Sequence, residues 1–190
     1  MVRWEPGAPQ RLQRAALELF TERGFEQTTA AEIAQSVGLT ERTFFRHFSD
    51  KREVLFYGQE RLVRTFVEGV ESAPPGASPM EMVTAALRSG AGFFTDEHRP
   101  HSRTRQSVID ENPALQEREL HKLATLGVTL ATALQARGVD RATAEVAAQT
   151  GMTVFGIAFA RWIREGETRS IADIETDVLR ELRSLVAPAA

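Results

Sequence analysis

Chemistry-bearing side chains are densest between Thr29 and Lys51, where Thr29, Thr40, Arg42, Thr43, Arg46, His47 and Lys51 fall together. These residue types suit nucleic acid. A guanidinium grips guanine O6 and N7, a Thr methyl meets a thymine methyl, and hydroxyl or ammonium groups reach phosphate oxygens. Within Thr40–Arg52, Arg42, Arg46, Lys51 and Arg52 stand against only Glu41 and Asp50, with His47 among them. An ordinary solvated helix face would read the same way on charge alone. A second set, His98, His101 and His121 beside Asp96 and Glu97, raises metal or acid–base chemistry. Arg99 and Pro100 lie between the first two histidines, and a Pro there argues for a loop carrying surface or capping histidines. A metal-dependent enzyme using these three residues is kept as an alternative. The chain has no nucleophile elbow, no phosphate loop and no Gly-x-Gly-x-x-Gly. Catalytic residues, metal and other cofactors are therefore not expected.

Side chains in the 29–51 stretch need rigid carriers, and the pattern supplies two short helices. Thr29-Ala30-Ala31-Glu32 is a capping box that opens one, and Gly38 ends it. Thr40 caps the next, from Glu41 to about His47. Two helices joined by a tight Gly-bearing turn form a helix-turn-helix. Ala34 is small where the helices cross, and Gly38 suits the turn. Ile33, Val37, Leu39, Phe44 and Phe48 fasten the unit, which turns Glu41, Arg42, Thr43, Arg46 and His47 outward. Phe44 and Phe48 read as core, and Phe45 is left open. A purely structural three-helix module or a protein-contact surface is the competing reading.

The elements around this unit also read as helix, giving an all-α fold. A first helix from about Pro9 to Arg23 places Leu12, Ala16, Leu19 and Phe20 on one face. Asp50-Lys51-Arg52-Glu53 is a second capping box, expected to open one long helix to about Val70. Pro74-Pro75-Gly76-Ala77-Ser78-Pro79 is the clearest punctuation in the chain. Later helices are expected near 79–95, 101–110, 113–137, 141–165 and 171–186. The breaks between them are Arg99-Pro100, Asn112-Pro113, Gly138 and Gly166.

Composition bounds what such a chain can be. Its 190 residues suit one domain or one with a small appendage. The 11 Phe and 42% hydrophobic content argue for a real core rather than disorder. Absence of Cys excludes disulfides and thiolate sites and fits a reducing, cytoplasmic setting. No apolar run approaches the roughly 20 residues a bilayer span needs, and no helix has a basic amphipathic face, so no membrane partner is expected. Met1–Pro6 has no apolar h-region, so no secretory leader is expected there. The net charge of −3 excludes a globally basic nucleic-acid binder but not a local basic patch. Residues 1–55 balance 8 basic against 8 acidic side chains, and the remainder carries the negative excess.

Three runs carry a family resemblance: Gly24-Phe25-Glu26-Gln27-Thr28-Thr29-Ala30-Ala31-Glu32-Ile33-Ala34, Val37-Gly38-Leu39, and Thr43-Phe44-Phe45-Arg46-His47-Phe48-Ser49-Asp50-Lys51. Together they resemble the DNA-binding domain of TetR/AcrR-family regulators over residues 11–55. That resemblance implies an all-helical homodimer that binds a palindromic double-stranded DNA operator, represses transcription and is released by a small ligand. Under it, Thr29, Thr40, His47 and Lys51 match phosphate-contacting positions, and Arg42 and Thr43 match base-facing ones. Phe45 stands where the family usually has Tyr, and Arg42 where many members have Gly. Asn112–Arg118 weakly resembles a helix start of actinobacterial members.

Domain expectations follow: residues 1–55 for DNA binding, 56–190 for ligand binding and dimerisation. The nearly all apolar stretch Ala147–Trp162 suggests a neighbouring helix on one side and a second subunit on the other. Met152, Phe155, Phe159, Trp162, Ile174, Val178, Leu182 and Leu185 are the expected dimer interface. An apolar small-molecule effector is expected near Phe66, Met82, Phe94 and Met152, although Met and Phe residues of this half are individually more often core than pocket lining. A same-fold DNA-binding protein without a small effector is the second functional reading.

Overall fold

Side-chain caps set where most helices begin. Thr29, Thr40, Ser78 and Asp140 each accept the N–H three residues on, and Ser170 accepts that of Asp173. A computed structural model describes residues 7–186; Met1–Pro6 lies outside them. The helices are α1 Ala8–Arg23, α2 Ala30–Ser36, α3 Glu41–His47, α4 Gln59–Glu71, α5 Pro79–Ala91, α6 Arg99–Asp110, α7 Pro113–Ala136, α8 Arg141–Trp162 and α9 Ile171–Val186. Among the described residues there is no strand, and no helix is long and apolar enough to cross a membrane.

Two expected boundaries are corrected. The long helix from Lys51 to Val70 is broken. Arg52–Phe56 is a 3-10 turn, Gly58 takes φ +90°, and α4 starts only at Gln59. Asp50 does accept the N–H groups of Arg52 and Glu53, at 2.8 and 3.2 Å. The turn does not propagate because Val54, Leu55 and Phe56 are all buried. An α-helix buries one stripe, not three successive residues. Nor does Arg99-Pro100 lie in a loop. Pro100 occupies the first turn of α6, where a missing N–H costs nothing.

The chain forms two compact units. One runs to Gln59 and takes in Thr104–Leu120, so it reaches beyond the expected boundary at residue 55. Its core joins Leu12, Ala16, Leu19 and Phe20 of α1 to Ile33, Ala34, Phe44 and Leu55, and includes Val108, Ile109 and Leu115. The other holds Glu60–Arg103 and the chain from His121 onward. There α8 packs chiefly on α9 and α5.

This second core also corrects the expected interface and bears on the expected pocket. Phe155, Trp162, Ile174 and Val178 are buried within their own chain and are not available to a second subunit. Phe159 and Leu182 are half-buried against the same core, and only Leu185, 80% exposed, stands clear of it. Phe66 and Met82 are buried, and Phe94 and Met152 pack on the same core. Phe94 meets Phe155, Phe159 and Trp162 at 5.6, 5.5 and 5.8 Å between ring centroids, so these rings form one aromatic cluster.

Candidate nucleic-acid interface

The recognition unit is built from its caps inward. Thr29 Oγ1 accepts the Glu32 N–H at 3.2 Å, and Glu32 Oε2 accepts the Thr29 N–H at 2.8 Å. The reciprocal pair starts α2 as its sequence requires. The hydrogen bonds from Thr29 hold the Glu32 carboxyl below its usual range. The Thr29 hydroxyl also donates to Glu32 at 2.8 Å, so it is engaged within its own cap. At the turn, Gly38 takes φ +69° and the Leu39 N–H donates to the Ala34 carbonyl at 2.9 Å. The chain reverses within three residues and presents Thr40 to cap α3.

Phe44 locks α3 against the core, fully buried and stacked obliquely on buried Phe48. The opposite face carries Glu41, Arg42, Phe45, Arg46 and His47 exposed, with Thr43 half-buried. Phe45 is 50% exposed, which resolves the residue left open by the sequence. Arg42, Thr43, Phe45 and Arg46 line one shallow depression. Among the described residues neither the Arg42 nor the Arg46 guanidinium forms an ion pair, and both are free to meet an external anion or base edge. Other arginines of the same unit are held. Arg52 pairs with Asp50 at 2.9 Å, Arg118 with Asp50 and Glu53 at 3.1 and 2.9 Å, and Arg105 with Glu119 at 3.1 Å.

Lys51 differs from its expected role. Its Nζ donates to the carbonyls of Phe25 and Thr28 at 2.6 and 2.9 Å and lies 4.0 Å from the centre of the Phe25 ring. Burial lowers its pKa. The ammonium ties the loop before α2 to the segment after α3 rather than pointing at a phosphate. His98 shares a hydrogen bond of 2.7 Å with Thr95 Oγ1, and among the described residues no three ligating side chains come together to hold a metal.

Sequence reasoning missed Arg105 and Arg118, which grip the segment after α3 from α6 and α7. Arg105 donates to the Leu55 carbonyl at 2.8 Å and lies over the Phe56 ring. No local motif marks either residue, since the Leu55 carbonyl is 50 positions from Arg105 and the Asp50 carboxylate 68 from Arg118. It also missed Glu175, a carboxylate buried within α9. That signal was present: Glu175 follows Ile171 by four residues and precedes Val178 by three, inside the apolar stripe.

A short capped pair of helices, one fixed by aromatics and bearing unpaired guanidinium groups on its free face, is a DNA-binding helix-turn-helix. The sequence profile of the bacterial regulatory proteins of the tetR family matches residues 12–57, and that of the MftR C-terminal domain matches residues 77–188. The chain belongs to the TetR family of transcriptional regulators. It is 39% identical over 85 residues to the HTH-type transcriptional regulator TcmR of Streptomyces glaucescens, covering 45% of this chain and 38% of TcmR. The match therefore spans well under half the length of that relative. Mycobacterium tuberculosis MftR, named for mycofactocin biosynthesis, is 23% identical over 83% of this chain and 80% of its own. Among solved structures, Thermus thermophilus FadR, a repressor in complex with lauroyl-CoA, aligns with TM-score 0.57 and 24% identity over 96% of both chains. A Syntrophomonas wolfei TetR-family protein aligns with TM-score 0.63 and 14% identity over 96% of both chains. These likenesses establish the fold.

Proposed function

We propose that the protein is a homodimeric, cytoplasmic repressor that binds a palindromic operator and leaves it when a small apolar molecule binds. The observation that carries DNA recognition is the free face of α3. Among the described residues Arg42 and Arg46 form no ion pair there, while the opposite face is pinned by Phe44. With α3 in the major groove, Arg42 and Thr43 face base edges, and Thr40, Arg46 and His47 reach the backbone. Two such units must sit roughly 34–36 Å apart to read half-sites one helical turn apart. The support for a dimer is the outer face of α8, where Val146, Gln149, Thr153 and Ile157 are exposed and no charged residue occurs from Val146 to Ala160. An uncharged surface strip on one helix is suited to a matching copy. The support for an apolar effector is the Met- and Phe-rich second core, together with the lauroyl-CoA held by the Thermus relative.

Selection of binding sites from random DNA should yield an inverted repeat. On that site Arg42→Ala should lose discrimination at one base per half-site, worth about 1–3 kcal/mol. Affinity measured on selected and scrambled DNA decides the matter: equal losses on both would make Arg42 a backbone anchor instead.

A further inference from the structure

Glu175 is 3% exposed on the inner face of α9, between buried Ile171, Ile174, Val178 and Leu179. Neither of its carboxylate oxygens has a hydrogen-bond partner among the described residues. Buried carboxylates are almost always paired, and an unpaired one marks a place where a partner is supplied from elsewhere. The helices packed on α9 are α8 and α5. Among the described residues their charged side chains do not supply it: Arg141 pairs with Glu145 and Arg161 with Glu181, and Glu81 and Arg88 lie on the exposed face of α5. The buried Arg99 guanidinium lies over the Trp162 ring at 5.2 Å, but its terminal nitrogens are engaged by Asp96 and by the carbonyls of Glu167 and Arg169. A second polar atom in the same core is also unpartnered, the indole Nε1 of fully buried Trp162. Around that indole, Phe94, Phe155 and Phe159 form a ring cluster, with Phe94 and Phe159 only half-buried at its rim.

We propose that Glu175 is the polar anchor of a binding site for a lipophilic organic cation, a protonated primary amine on an apolar body. The proposal rests on the effector-released reading given above and adds a single cationic group to the apolar body of that effector. An ammonium group supplies the donors and the charge that the carboxylate lacks, and aromatic faces attract the same charge. Met82 and Met152, flexible and polarizable, are the side chains of this core best able to yield to the apolar body. Burial pushes the Glu175 carboxyl up to about 8, so the free protein holds it as the neutral acid near pH 7. The arriving ammonium restores the carboxylate, and the carboxyl proton leaves to solvent.

The test uses the full chain with hexyl-, octyl- and decylammonium, set against the alcohols and carboxylates of the same tails. Calorimetry in two buffers of different ionisation enthalpy reads both affinity and proton release. The wild type should bind amines at least about tenfold more tightly than alcohols or carboxylates, releasing close to one proton per site at pH 7. Glu175→Gln should lose that preference and the proton release while staying folded, as its unfolding transition will report. Equal binding of amine and carboxylate, unchanged binding in Glu175→Gln, or no amine binding at all would overturn the site. Release of selected operator DNA is read separately. Amine binding that leaves DNA bound supports the site and removes effector release from the function. Amine-driven release that persists in Glu175→Gln removes the site and leaves that function standing.

Discussion

Single side chains here divide into those the core commands and those it leaves free, and Glu175 belongs to neither group. Its carboxyl keeps a proton to about pH 8 in the folded chain, whereas the ordinary value is 4.5. Between those values the folded state binds more protons than the unfolded one, so stability falls as pH rises. The loss begins above pH 4.5 and is complete beyond pH 8, at no more than about 1.4 kcal/mol per pH unit. Glu175→Gln should therefore unfold like the wild type near pH 4.5 and at a progressively higher temperature toward pH 8. Parallel melting curves for the two proteins across that range would show that the carboxyl ionises freely. Lys51 teaches the complementary lesson. Its type and place read as a phosphate anchor, but two carbonyls 23 and 26 residues away engage it, and no local pattern reveals such a distant acceptor. Arg42 and Arg46 stand exposed as the sequence reads them, because among the described residues no ion pair draws either one inward.

Helices were read well at caps and glycines other than Asp50, because those signals act within four residues. The starts of α2, α3 and α7 follow from Thr29, Thr40 and Pro113 almost residue for residue, and α9 follows the break at Gly166. The break after Phe56 was hidden because it answers to the first core, which requires Val54, Leu55 and Phe56 all to face inward. Close packing between helices was equally hidden. A Cβ built on Gly90 of α5 would lie 2.2 Å from Cε2 of Phe66 on α4. Gly90→Ala should accordingly lower stability by about 1–3 kcal/mol in a denaturant titration. Trimming the obstructing ring with Phe66→Leu in the Gly90→Ala background should recover part of that loss. Additive effects of the two changes would mean that the ring already moves aside.

At the scale of the whole molecule, the apolar periodicity of α8 and α9 correctly announced burial but not its owner. Phe155, Trp162, Ile174 and Val178 serve the chain's own core, and the surface suited to a second copy is the uncharged outer strip of α8. Ile157, 40% exposed on that strip, should tolerate Arg in the monomer but not in a pair of apposed helices. Ile157→Arg is expected to sediment as a folded monomer at micromolar concentration and to lose binding to the inverted repeat while keeping weak half-site binding. A dimer that survives this change would place the interface elsewhere. The first core has a different kind of consequence. Val108, Ile109 and Leu115 belong to it, as do the grips of Arg105 and Arg118 on the segment after α3, yet some 45 residues separate this stretch from Gln59. The DNA-reading head is thus not a cassette that can be cut at residue 55 and grafted onto another sensor. A hybrid regulator must carry the 104–120 stretch along with the head it completes, so recombination between family members at the apparent boundary would be selected against.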